Sequence, residues 1–165
     1  MRPRQPSAAE VRQLPALMTH VIPADWEDQN GHVNIQFYMT LFERGGWPMV
    51  QEMGMEDSYF RDRRQGLFDL EHHLYYLNEI HVGESVSIHA RLVDRSEKRF
   101  HGVMFIVNDS RDNLAATLEY ITSGADLAHR RTAPFPADIA AQLDRLVAEH
   151  RQLAWDPPLC GVMSA

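Results

Sequence analysis

Between Ile35 and Arg44 the apolar side chains recur four residues apart. Phe37 with Leu41, Tyr38 with Phe42 and Ile35 with Met39 make three adjacent rows. The spacing predicts a helix that is apolar on most sides and therefore wrapped by other structure. Gly45, Gly46 and Pro48 predict a break or kink, then a short second helical stretch to Gly54 and a charged segment, Glu56–Gly66. Ahead of the helix, residues 16–24 read as a strand leading into a polar turn, Asp25 to Gly31. After it the period changes. Residues 67–80 are rich in Phe, Leu and Tyr and end at a turn around Gly83. In 84–93, Val86, Ile88, Ala90 and Leu92 alternate with polar residues, as on a strand. Residues 99–108 are a further apolar run, Asp109–Asn113 is turn sequence, and 114–128 carry another strand. Pro134 and Pro136 introduce a last helix, about Ala137–Leu153, with Ile139, Leu143 and Leu146 on one stripe. The order predicts an α+β domain: an antiparallel sheet curled around a long central helix, with an extra C-terminal helix.

The chain of 165 residues fits one domain. Segment 1–15 is expected to be mobile, 16–135 to form the domain, and 136–165 to form the C-terminal helix and tail. A net charge of −7 excludes the basic surface that nucleic acid requires. No apolar run approaches the roughly 18 residues of a membrane span, and the N-terminus has no signal-like apolar stretch. With one cysteine, Cys160, no internal disulfide is available, and a cytoplasmic location is expected.

Chemistry concentrates in Trp26–Asn34 (WEDQNGHVN), just before the apolar helix. This segment offers the Asp28 carboxylate, the His32 imidazole and the Asn34 amide beside a helix N-terminus. The first N–H groups there lack intrahelical partners and carry partial positive charge. They could hold a thioester oxygen as it gains negative charge, while Asp28 attacks the carbonyl or deprotonates a water. The same letters also make ordinary turn sequence, with Asn34 as a helix N-cap.

Order and spacing resemble the 4-hydroxybenzoyl-CoA thioesterase group of hotdog proteins: Asp28-x-x-Gly31-His32-Val33-Asn34, then Tyr38, then Phe42-Glu43. His73–Leu77 and Gly83–Val86 continue the resemblance through the strands. A closer similarity is to the betainyl-CoA thioesterases of carnitine breakdown. It rests on Trp26-x-Asp28-x-Asn30-Gly31-His32, on Glu71 two places before His73, on Glu97-Lys98-Arg99, and on Ala133–Asp138. The resemblance implies a hotdog fold and hydrolysis of an acyl-CoA thioester, with betainyl-CoA as a candidate substrate. It implies no metal and no cofactor, coenzyme A being part of the substrate. The active site is expected at the interface of a homodimer or homotetramer. Asp28, His32 and Asn34 are the catalytic candidates, with an oxyanion donor near Asn34 or Ile35. Trp26, Gly31, Ile35, Tyr38, Glu43 and Glu71 are the substrate-binding candidates. The group usually has an acidic residue where Trp26 stands, so that acid's role does not carry over.

Trp26, with Trp47, Tyr38, Tyr75 and Tyr76, could box a trimethylammonium group through cation–π attraction, although such aromatics more often pack a core. Arg63-Arg64, Lys98-Arg99 and Arg130-Arg131 are candidate grips for coenzyme A phosphates. His72 and His73, adjacent on a strand, face opposite ways and cannot chelate together. Two other classes stay open: a hotdog enoyl-CoA hydratase, whose His–Asp spacing differs by one residue, and a non-catalytic acyl-CoA-binding module.

Overall fold

The computed structural model describes residues 3–165. The alternating segment becomes β3 (Ser85–Arg95), the centre of an antiparallel sheet. Its other strands are β1 (Met18–Val21), β2 (Gln65–Tyr76), β4 (Arg99–Asn108) and β5 (Asn113–Asp126), in the order β1-β3-β4-β5-β2. A two-residue strand, β6 (Arg131–Thr132), pairs with the end of β5. Val86, Ile88, Ala90 and Leu92 point to the concave face and are at most 1% exposed. There they pack on the central helix α2 (Ile35–Glu52) through Leu41, Phe42 and Met49. This is the hotdog arrangement. No helix of the described residues is long and apolar enough to cross a membrane.

The helix runs on where the sequence predicts a break. Pro48 removes the N–H that Arg44 C=O would accept, but Arg44 is exposed, and water can serve that carbonyl. Gly45 is buried against β3, where a Cβ would lie 2.5 Å from an Ile88 methyl carbon. The glycine sets a close helix–sheet approach and does not end the helix. After Gly54 (φ +87°) the charged segment contains a short helix, α3 (Asp57–Arg61).

The convex face is also covered, which explains why β4 is apolar almost throughout. Val103, Phe105, Val107 and Leu114 pack there against Ala8, Val11, Leu14 and Trp155. Within the segment expected to be mobile, α1 (Ala8–Val11) is fixed by a capping box: Glu10 N–H donates to Ser7 Oγ, and Ser7 N–H to the Glu10 carboxylate. The hydrogen bond from the Ser7 N–H, reinforced by Arg4, pulls the Glu10 carboxyl down to about 2. Met1 and Arg2 lie outside the described residues. On the same face the buried His101 Nε2 lies 2.9 Å from Glu119 Oε1, and Glu119 Oε2 accepts from Cys160 N–H, pinning the C-terminal tail. The last helix, α4 (Ala137–His150), packs on β3 through Ile139, Leu143 and Leu146. Its His150 Nδ1 accepts the Leu92 N–H beside a bulge in β3.

Candidate active site

The segment singled out by sequence folds as a small hairpin against the start of α2. Glu27 and Val33 bridge, Asp28 N–H donates to His32 C=O, and Gly31 N–H donates to Asp28 C=O. Gly31 takes a left-handed φ of +80°, which a side chain would strain, and its carbonyl lies 2.9 Å from His81 Nδ1. Val33 N–H donates to Ile80 C=O, which docks the hairpin on the segment leaving β2.

The Asp28 side chain is 11% exposed. Asn30 N–H donates to Oδ1 at 2.8 Å, and the Asn30 amide nitrogen reaches Oδ2 at 3.4 Å. His32 Nδ1 stands 3.7 Å from Asp28 Oδ1, too far for a hydrogen bond, and 3.3 Å from Val33 C=O. Asp28, His32, Ile35 and Tyr38 line one cavity of about 330 Å³ with Tyr76, Leu77, Asn78 and Glu79. The Tyr38 ring meets Tyr76 edge-on at 5.0 Å. Burial pushes the Tyr38 phenol up to about 12, against a hydrogen bond to Ile80, so it stays protonated at neutral pH.

The other candidates are placed elsewhere. Asn34 caps α2, its Oδ1 accepting from Gln36 N–H at 3.1 Å. The Asn34 N–H is taken by Trp26 C=O at 2.8 Å, which leaves it unable to serve an oxyanion. The Ile35 N–H, by contrast, has no acceptor among the described residues, and Ile35 lines the cavity. Trp26 is 6% exposed, stacked on Phe37 at 4.5 Å and tilted against His20 at 4.9 Å. It is core, and it cannot box a substrate. Glu43 lines a different cavity, further along α2. A bulge between Asp69 and Glu71 puts Asp69 and His72 on the concave face, leaving Glu71 on the outward face with His73. His73 there lies 4.6 Å from the Tyr75 ring.

Leu77, Asn78 and Glu79 line the cavity although the sequence marks none of them as a site candidate, and Tyr76 enters there only as part of a possible aromatic box. The polar Asn78-Glu79 pair interrupting the apolar run at 67–80 was the available signal. Of the basic pairs, Arg63 is bound to Asp138 at 2.7 Å. Arg64, Lys98, Arg99, Arg130 and Arg131 have no ion pair among the described residues. The registers Gln65↔Asp126, Arg99↔Ser123 and Asp126↔Arg131 gather them at one end of the sheet. Tyr76 and the Asp28 cavity lie at the other end, about 36 Å away along β2 at 3.3 Å per residue.

A carboxylate and an unengaged helix-start N–H beside one cavity are what acyl transfer needs. Comparison with known proteins agrees. Residues 22–143 match the thioesterase-like superfamily. Betainyl-CoA thioesterase of Pseudomonas aeruginosa is 31% identical over 136 residues, covering 82% of this chain and 84% of that protein. A hypothetical protein of Staphylococcus aureus, solved in complex with CoA, superposes with a TM-score of 0.81 at 21% identity, covering 92% of this chain and 96% of that one. A Pseudomonas putida KT2440 protein described as a putative thioesterase gives 0.75 at 25% identity with the same coverage. The match to residues 22–143 spans the hairpin, α2 and the four long strands β2 to β5, and the chain belongs to the thioesterase-like superfamily.

Proposed function

We propose that this chain hydrolyses the CoA thioester of a small cationic acyl group, betainyl-CoA or a close analogue, at the Asp28 cavity. Acyl-CoA thioester hydrolysis is the activity of the group it belongs to, and the Pseudomonas aeruginosa relative is a betainyl-CoA thioesterase. One observation carries the site: Asp28 and Ile35, whose N–H is unengaged, line the same cavity. The thioester oxygen sits on the Ile35 N–H at the positive end of α2, where negative charge is stabilised as the carbonyl is attacked. Asp28 takes the proton of the attacking water. Alternatively it attacks itself, forming an anhydride and releasing the CoA thiolate before water completes hydrolysis. His32 borders the attack position, and Asn34 acts through the helix by capping it. With Trp26 buried, the groups facing the acyl cation are the Tyr38 and Tyr76 rings and the Glu79 carboxylate.

The assembly proposed is a homodimer through β2. That strand is a sheet edge, and Phe68 and Leu70 on it, with Ile35, Met39 and Trp47 on α2, leave large apolar side chains exposed. Two copies related by a two-fold axis pair this edge antiparallel. The basic end of one sheet then stands beside the Asp28 cavity of the other, where CoA phosphates require cations. A tetramer through the convex face is disfavoured because the chain's own termini cover that face.

Thiol release from betainyl-CoA, compared with its uncharged isostere 3,3-dimethylbutanoyl-CoA, tests the reaction and the acyl group. Cation–π contacts contribute about 0.5–2 kcal/mol, so a roughly two- to thirty-fold preference in kcat/KM is expected, most of it lost in Tyr76→Leu. Equal turnover of the two removes the cationic substrate, and absence of thiol release from any acyl-CoA removes the reaction. Light scattering should give about twice the 19.0 kDa chain mass. An active monomer would rule out the shared site.

A further inference from the structure

The hairpin that carries Asp28 is tied to the rest of the protein at two adjacent points. Val33 N–H donates to Ile80 C=O at its base, and His81 Nδ1 lies 2.9 Å from Gly31 C=O at its tip. Among the described residues, every other hydrogen bond of residues 28–32 stays inside the hairpin. That tip holds the Asp28 carboxylate through the Asn30 N–H, yet Gln29, Asn30 and Gly31 are exposed. Glycine adopts either sign of φ, and nothing stands within 4 Å of where a Gly31 Cβ would lie, so packing does not fix the Gly31 peptide. The bond from His81 does. A carbonyl only accepts, so Nδ1 carries the proton and donates.

His81 is itself held firmly. Its N–H donates to Glu84 Oε2 at 2.8 Å, and its C=O accepts from the Glu84 N–H at 3.2 Å. The Glu84 side chain is 14% exposed and is gripped from the β4–β5 turn: Asn108 Nδ2 donates to Oε2 at 2.7 Å, and Arg111 Nε donates to Oε1. Against the cost of burial, the His81 N–H and these two donors hold the Glu84 carboxyl below the usual carboxylate range, so it stays ionised at neutral pH and keeps all three. Ile22 adds two main-chain bonds of 2.9 Å, its N–H to Glu84 C=O and its C=O from Gly83 N–H. On the far side of the ring, Nε2 lies 3.5 Å from Oε2 of Glu79, which lines the Asp28 cavity. We propose that His81 is a positioning residue for thioester hydrolysis: by clamping the Gly31 carbonyl it sets where the hairpin tip holds the Asp28 carboxylate. The role rests on Asp28 as base or nucleophile, and a displacement of a reacting group by about 1 Å costs on the order of 10² in rate.

Two substitutions in the full chain test the clamp, each read by thiol release and by amide hydrogen exchange followed by NMR. His81→Ala removes the donor. His81→Asn keeps one, because its side-chain nitrogen stands as far from Cβ as Nδ1 does. In His81→Ala, kcat should fall about 10- to 100-fold with KM within about three-fold, since the cavity lining is intact. The Asp28 and Gly31 N–H groups should exchange about five-fold or more faster, with β3 and β4 amides unchanged. His81→Asn should restore most of both. Loss of kcat without faster exchange at the tip, faster exchange without loss of kcat, or equal losses in the two variants overturns the proposal. A parent that releases no thiol overturns instead the catalytic reading on which the role rests, and the exchange rates then decide the clamp alone: unchanged rates in His81→Ala reject it.

Discussion

Asparagine in place of Asp28 keeps the side chain's volume and one of its two acceptors. The 2.8 Å bond from Asn30 N–H to Oδ1 survives. At the second oxygen, 3.4 Å from the Asn30 amide nitrogen, the new NH2 meets another NH2. The Asn30 side chain is exposed and can turn to offer its oxygen, so the hairpin should lose less than about 1 kcal/mol. What disappears is the charge, and with it the ability to take a proton from water or to displace CoA. General-base catalysis contributes about 10² to 10⁴. At about 1.4 kcal/mol per decade that is roughly 3–5 kcal/mol of barrier. The loss should fall on kcat with KM little changed, because the cavity walls and the Ile35 N–H remain. Release of CoA thiol, followed with a thiol-reactive dye across a range of betainyl-CoA concentrations, measures both constants. Thermal melting of the same samples verifies the fold. A folded Asp28→Asn protein with kcat within three-fold of the parent would refute the assignment of Asp28 as base or nucleophile.

Gly45→Ala should destabilise the protein by about 1–3 kcal/mol, despite alanine's better helix propensity, because the added methyl meets three Ile88 carbons at 2.5–2.8 Å. A urea midpoint that stays or rises would show that α2 can retreat from β3 at no cost. Burial, the leading cause for each, holds His89 and His150 below the ordinary histidine value of 6.5. The unfolded chain takes up protons near 6.5 that the folded chain refuses. Stability is therefore complete above that pH and falls as pH drops below it, with a slope approaching about 1.4 kcal/mol per pH unit for each histidine. Urea unfolding at pH 7.5 and pH 5.5 should show the loss, and His150→Gln should reduce it. Equal stability at the two pH values would contradict the burial of these rings as neutral groups.

β3 and the helix at Ile35 were legible because period two and period four report directly which face is buried, and β4 was legible as a bounded apolar run buried on both faces. The hairpin was legible for a different reason: Asp28, Gly31 and His32 are close in sequence and carry their own spacing. The lining residues from Leu77 to Glu79 were not, since they join the site through a tertiary bond, Val33 N–H to Ile80 C=O. Trp26 looked available because it lies two residues before Asp28, but it ends a 3-10 turn (Ala24–Trp26) whose packing buries it, and Phe37 and His20 claim its ring. Glu71 went astray through one extra residue at the bulge, which shifts every later side chain on β2 to the other face. Gly45 and Pro48 were taken for helix breakers on intrinsic preference alone; tertiary contact with Ile88 decides that position. At the N-terminus, Ser7 and Glu10 already spelled a capping box ahead of Val11 and Leu14, a signal outweighed by the polar composition around it.

The bond from Leu92 N–H to His150 bears on how far the sheet can be extended by other chains. At its β3 side, β1 covers Ser85–Ile88, and α4 takes over beyond, with His150 occupying a donor and Asp144 binding Arg95. Beyond Ile88 that margin is taken, and toward Ser85 the outermost strand is β1, only four residues long. The long free edge is β2, and one two-fold pairing there would consume it in both copies. The ribbon would then end on two four-residue strands, and so short an edge is a poor template for further pairing. Substitutions that loosen α4 from β3 should therefore show up first as filament or precipitate formation, before any loss of hydrolysis.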